Sequence, residues 1–86
     1  MKARVFVTLK PSVFDPQGRT IVEALHSLGY DSVADVRQGK YFDVDVDAAT
    51  PADAERLAGE IAARVLANPV IESFRIEVVR EEGVRR

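Results

Sequence analysis

Between Phe42 and Asp47, apolar residues alternate strictly with acids: Phe42, Val44 and Val46 against Asp43, Asp45 and Asp47. A period of two is that of a β-strand with one face on a core and one in water. Upstream, Val33, Ala34 and Val36 predict a shorter strand, and Gly39 between the two predicts a hairpin. The alternation also constrains register. Pairing Val36 with Tyr41 would turn Val36 and Ala34 onto the face of the acids. Pairing Val36 with Phe42 and Ala34 with Val44 keeps the apolar side chains together, because a slip of one residue inverts a strand. A three-residue connection centred on Gly39, or a bulge beside it, is therefore expected. This register sets Asp35 opposite Asp43, and like charges directly opposed destabilise a sheet. An arginine, Arg4 or Arg37, or a basic group from a partner, is expected within ion-pair range of them.

The remaining elements follow the same logic. In Lys2–Leu9, Val5, Val7 and Leu9 alternate with Arg4, Phe6 and Thr8, and Pro11 ends the strand. Asp15-Pro16-Gln17-Gly18 predicts a helix start, with Asp15 as cap and Pro16 in the first turn. Ile21, Leu25 and Leu28, flanked by Val22 and Ala24, give that helix an apolar face. Gly29 predicts a left-handed stop. Thr50-Pro51-Ala52-Asp53 repeats the start signal. Leu57, Ile61 and Val65 form the expected buried stripe, supported by Ala54, Ala58 and Ala62, and Glu60 and Arg64 a surface ion pair. Asn68-Pro69 stops the second helix. In the last strand Phe74, Ile76 and Val78 oppose Ser73, Arg75 and Glu77.

The order strand, helix, strand, strand, helix, strand is that of the ferredoxin-like unit. The expected fold is α+β: a two-layer βαββαβ with an antiparallel-type sheet and both helices on one face. A single domain is expected over residues 1–80, with a charged tail at 81–86.

Composition removes several function classes. The chain has 86 residues and no cysteine, which excludes disulfides, thiolate chemistry and cysteine metal sites. Its net charge is −2 with mixed signs, which argues against sequence-independent nucleic-acid binding. No apolar run approaches the roughly 20 residues of a membrane span. Met1-Lys2-Ala3-Arg4 leads directly into a strand, so no signal peptide is expected and a cytoplasmic setting is the simplest.

No catalytic set is visible. His26 is the single histidine, placed in the last turn of a helix where positive charge suits the dipole. Asp43, Asp45 and Asp47 suit hard cations by ligand type, but alternate strand positions lie about 7 Å apart and do not converge. Gly18, in the first helical turn, either belongs to a Pro/Gly turn or marks a helix start that holds an anion or lets another chain approach. Gly39 is explained by the hairpin tip, which leaves Lys40 and Tyr41 for partner contact. Phe6 on the outer sheet face joins Tyr41 as an aromatic available to an interface.

Val5-Phe6-Val7-Thr8-Leu9-Lys10, Asp15-Pro16-Gln17-Gly18, Ala24-Leu25 with Leu28-Gly29-Tyr30, Val36-Arg37-Gln38-Gly39-Lys40 and Leu66-Ala67-Asn68-Pro69-Val70-Ile71-Glu72 together resemble the PurS family. That family comprises the small subunits of phosphoribosylformylglycinamidine synthase. The resemblance spans nearly the whole chain in order. It implies a non-catalytic assembly subunit of a glutamine-dependent, ATP-consuming amidoligase of purine synthesis. Such a subunit bridges a glutaminase subunit and a large synthetase subunit and supports ammonia transfer. ATP and Mg²⁺ belong to the large subunit, and no cofactor or metal is expected in this chain. A homodimer or higher homo-oligomer is implied, without nucleic acid or membrane. The partner-contact candidates are Asp15, Gly18, Arg37, Gly39, Lys40 and Tyr41.

Two other classes share the strand and helix order. One is a small-ligand regulatory module of the amino-acid-sensing kind, with its ligand near Lys10–Gly18. The other is a small phosphatase of the acylphosphatase kind, which needs an arginine in a phosphate-cradling loop; Lys10-Pro11-Ser12-Val13-Phe14 has neither arginine nor glycine.

Overall fold

A computed structural model describes residues 1–79, and the expected tail at 81–86 lies outside them. The elements are β1 (Lys2–Leu9), α1 (Pro16–Ser27), β2 (Gly39–Asp45), α2 (Pro51–Ile61) and β3 (Glu72–Val79). A π-helical turn, Ala62–Leu66, extends α2. β1 is central, and β2 and β3 flank it, both antiparallel.

The alternations lock into rows across this sheet. Val5 stands between Phe42 and Ile76, Ala3 between Val44 and Val78, and Val7 between Lys40 and Phe74. Burying one face of β1 makes a core of Ala3, Val5, Val7, Ala58 and Ala62, with Phe42, Val44, Leu66, Ala67 and Ile76 packed around it. The α2 stripe is alanine rather than the expected larger residues. Ala54, Ala58 and Ala62 are fully buried, whereas Val65 is exposed. Small side chains let the helix lie close on the strands. The wider turn after Ile61, where the Ala67 N–H reaches back to the Ala62 carbonyl at 2.9 Å, rotates Val65 outward. The same turn takes Arg64 out of the regular four-residue spacing, and Glu60 pairs with Arg56 at 3.2 Å instead.

Both helix starts match their signals. The Asp15 carboxylate accepts from the Gly18 N–H at 2.9 Å, and the Thr50 hydroxyl from the Asp53 N–H at 3.1 Å. Gly29 has φ 97°. The Tyr30 N–H returns to the Leu25 carbonyl at 3.0 Å, the left-handed stop that only glycine takes cheaply.

One expected strand is absent. Val33–Val36 forms no ladder, so the hairpin, the bulge, the Val36–Phe42 register and the opposed Asp35–Asp43 pair do not exist. The backbone of this segment is committed to α1 and its approach. His26 Nε2 bonds the Val33 carbonyl at 2.8 Å, the Val36 carbonyl oxygen presses on Gly18, and the Gln38 N–H donates to Asp15 at 2.7 Å. Asp35 instead accepts from the Val36 N–H at 2.9 Å. Phe42 pairs with Val5 on β1. An arginine does reach Asp43: Arg4 Nε stands 3.5 Å away.

The sheet therefore keeps the ferredoxin-like order without its fourth strand. Among the described residues nothing pairs with the outer edge of β2. No α1 residue belongs to the cluster between the sheet and α2, although Val22 of α1 is buried; α1 is tied to residues 33–38. The shape reflects this: the chain measures 49 × 34 × 14 Å with a radius of gyration of 16.5 Å, against about 12 Å for a compact globule of this length.

Candidate functional site

Two segments carry most of the candidate residues, and the fold fastens one to the other. Asp15 precedes α1, and its side chain is 5% exposed. One carboxylate oxygen accepts from Gly18 N–H at 2.9 Å and the other from Gln38 N–H at 2.7 Å. From the opposite side, Arg37 Nη2 donates to the Lys10 carbonyl at 2.9 Å and the Val13 carbonyl at 2.7 Å. The two side chains thus cross-tie the β1–α1 loop to the strand-like approach to β2. The Gln38 and Gly18 N–H groups hold the Asp15 carboxyl below its usual range; burial opposes them, and the charge of Arg37 reinforces them.

Both candidate glycines are forced by close approach within the chain. A methyl group at Gly18 would collide with the Val36 carbonyl oxygen. One at Gly39 would lie 2.5 Å from the Val7 carbonyl oxygen and 2.8 Å from Thr8 Cγ2. Gly39 is thus the first residue of β2 pressed on β1, not the tip of a hairpin.

Beside this tie, a cleft of about 260 Å³ opens at the end of β1, lined by Val7, Leu9, Asp15, Gln17, Gln38, Gly39, Lys40 and Glu72. In its lining Lys40 Nζ pairs with Glu72 Oε2 at 3.7 Å. The other Glu72 oxygen accepts from the Asn68 N–H at 2.7 Å.

Tyr41 lies on the other face of the sheet. Its ring stacks on Phe6 with centroids 5.4 Å apart, and the Arg75 guanidinium covers Phe6 at 4.3 Å. The Tyr41 hydroxyl donates to Asp43 at 3.1 Å, and that bond to a carboxylate raises its pKa. Arg4 sits between Asp43 and Glu77 in the next row. The outer face is thus an aromatic and ionic surface, half-exposed at Tyr41. Among the described residues there is no cluster of three or more metal-ligating side chains. The structure brings Asp15, Gly18, Arg37, Gly39 and Lys40 to one end of the sheet and sets Tyr41 on its outer side.

Sequence reasoning did not single out Arg75, Gln38 or Glu72. Arg75 alternates onto the outer face, but only the β1–β3 register puts it over Phe6. The part of Gln38 that matters is its backbone N–H, which no side-chain pattern signals.

A family model described as phosphoribosylformylglycinamidine (FGAM) synthase, PurS, matches residues 2–80. The chain belongs to the PurS family. The phosphoribosylformylglycinamidine synthase subunit PurS of Bacillus subtilis is 46% identical over 77 residues, covering 90% of each chain. The crystal structure of PurS from Methanocaldococcus jannaschii, one of the subunits of formylglycinamide ribonucleotide amidotransferase, superposes with a TM-score of 0.80 at 36% identity, covering 88% of this chain and 92% of that one. A chain of the PurLQS structure from Thermotoga maritima gives the same TM-score of 0.80 at 28% identity, with coverage of 88% and 93%. No helix among the described residues is long and apolar enough to cross a membrane.

Proposed function

We propose that this chain is the non-catalytic assembly subunit of a phosphoribosylformylglycinamidine synthase in purine biosynthesis. It bridges a glutaminase subunit and a large synthetase subunit and supports ammonia transfer between them in the cytoplasm. ATP and Mg²⁺ are held by the large subunit. The observation that carries the reading is the family match over residues 2–80, joined to a likeness to a chain of the PurLQS structure.

The geometry supports it in two ways. The side chains with perturbed acidity, Asp15 and Tyr41, are each engaged with other groups of this chain and face no reactive pair. The protomer also leaves much surface suited to proteins: the free edge of β2, the Phe6–Tyr41–Arg75 face and the exposed Phe14, Leu28 and Tyr30 around α1. An open sheet edge and a half-covered helix favour a homodimer or higher homo-oligomer. The contact surface takes in Arg37, Lys40 and Tyr41, while Asp15, Gly18 and Gly39 hold it in shape.

Reconstitution tests this. Glutamine-dependent turnover by the two larger subunits is expected to need this chain and to fall to background without it. Equal turnover in its absence would refute the proposal.

A further inference from the structure

The cleft at the end of β1 shares Lys40 with the proposed contact surface, and it also has the makings of a small-molecule site. Its volume of about 260 Å³ is just below the roughly 300–1,000 Å³ of pockets for drug-sized ligands, so it suits a small metabolite. Its floor is Val7 and Leu9, and its rim carries Gln17 and Gln38. The two charges paired in its lining are unequal in setting: the Glu72 side chain is 16% exposed and that of Lys40 54%. Glu72 is held in place by the Asn68 N–H on one oxygen. Its other oxygen meets Lys40 at 3.7 Å, a loose ion pair longer than a hydrogen bond.

We infer that this cleft binds a free, neutral α-amino acid, with the ligand carboxylate on Lys40 and the ligand ammonium on Glu72. A zwitterion on adjacent carbons supplies both charges together and completes an alternating set of four. The pair is loose and half-exposed on its Lys40 side, so loosening it to make two ligand contacts forfeits little. The balance of charge selects the ligand class. Asp15 and Glu72 against Lys40 leave the cleft with one excess negative charge, which disfavours nucleotides, phosphates and acidic amino acids. Gln17 and Gln38 suit a side chain bearing an amide.

Calorimetric titration of the full chain at low salt tests this, with L-asparagine as the probe. Saturable binding is expected. N-acetyl-L-asparagine lacks the ammonium and L-asparagine methyl ester lacks the carboxylate; each is expected to bind at least about tenfold more weakly, as is L-aspartate. Lys40→Ala and Glu72→Gln are expected to lose a similar factor. Because the capped ligands leave the protein untouched, a folding defect in either variant does not blunt the test. No saturable heat with L-asparagine up to about 10 mM, or equal affinity for either capped form, would overturn the inference. The capped-ligand comparison and reconstituted turnover both use the unaltered chain, so the assembly proposal and this one fail independently.

Discussion

The two helices of this chain are attached in opposite ways. α2 lies on the sheet through Ala54, Ala58 and Ala62, all fully buried, and its hold is apolar contact with β1 and β3. α1 buries only Gly18 and Val22 within its length and leaves Leu28 74% exposed. It is fastened at its start by polar groups: the Asp15 carboxylate, the Arg37 guanidinium and a close contact at Gly18. One half of the protomer is a small apolar core, and the other is a cross-tied arm with apolar surface left over. The difference teaches that hydrogen bonds can set the position of an element whose own burial is too slight to do so.

The contrast can be broken at several points. Ala58→Leu forces extra methylene groups between α2 and β1, with an expected loss of about 3 kcal/mol from overpacking, read as a global fall in denaturation midpoint. Gly18→Ala drives a methyl into the Val36 carbonyl, and a loss of about 2 kcal/mol is expected. Hydrogen exchange should then quicken over residues 10–38 while β1 and α2 keep their protection. Uniform loss of protection would mean that the arm and core form one cooperative unit.

Asp15→Asn sharpens the comparison by acidity. The native carboxyl has its pKa lowered from 3.8, so its contribution to stability is complete above the unfolded value. That contribution is lost as pH falls through the folded one. The native chain should therefore weaken through this group as pH falls through and below the ordinary carboxylate range, and the variant should show a shallower acid limb in thermal melts. The smallest effects belong to the uncovered residues: Leu28→Ser and Val65→Ser are each expected to stay within about 0.5 kcal/mol of the parent, while Leu28→Ser lowers self-association in sedimentation.

Much of the fold was legible in the residues. The alternations of β1, β2 and β3, the caps at Asp15 and Thr50 and the stop at Gly29 are local matters, settled by side-chain period and backbone geometry within a few positions. Several readings failed for non-local reasons. Val33–Val36 has strand composition, but its backbone partners lie in α1 and its approach. Val65 follows the helical period, but the π-turn changes the phase before it. Gly39 suits a hairpin, but its glycine is needed against Val7 and Thr8 on β1. The site was legible as residues and not as an arrangement. Asp15 and Arg37 were picked out apart, while the tie between their two segments runs through the Gln38 N–H and the carbonyls of Lys10 and Val13.

By itself, then, the sequence determined the two helix starts, the left-handed stop at Gly29, which face of β1, β2 and β3 is apolar, and membership of the PurS family. Those depend on neighbours in the chain. Only the tertiary structure decided that three strands pair rather than four, that alanines and not larger residues seat α2, and that α1 hangs from polar ties. The reason is competition: a backbone N–H or carbonyl has few partners to give, and which one takes it depends on what the fold brings within reach.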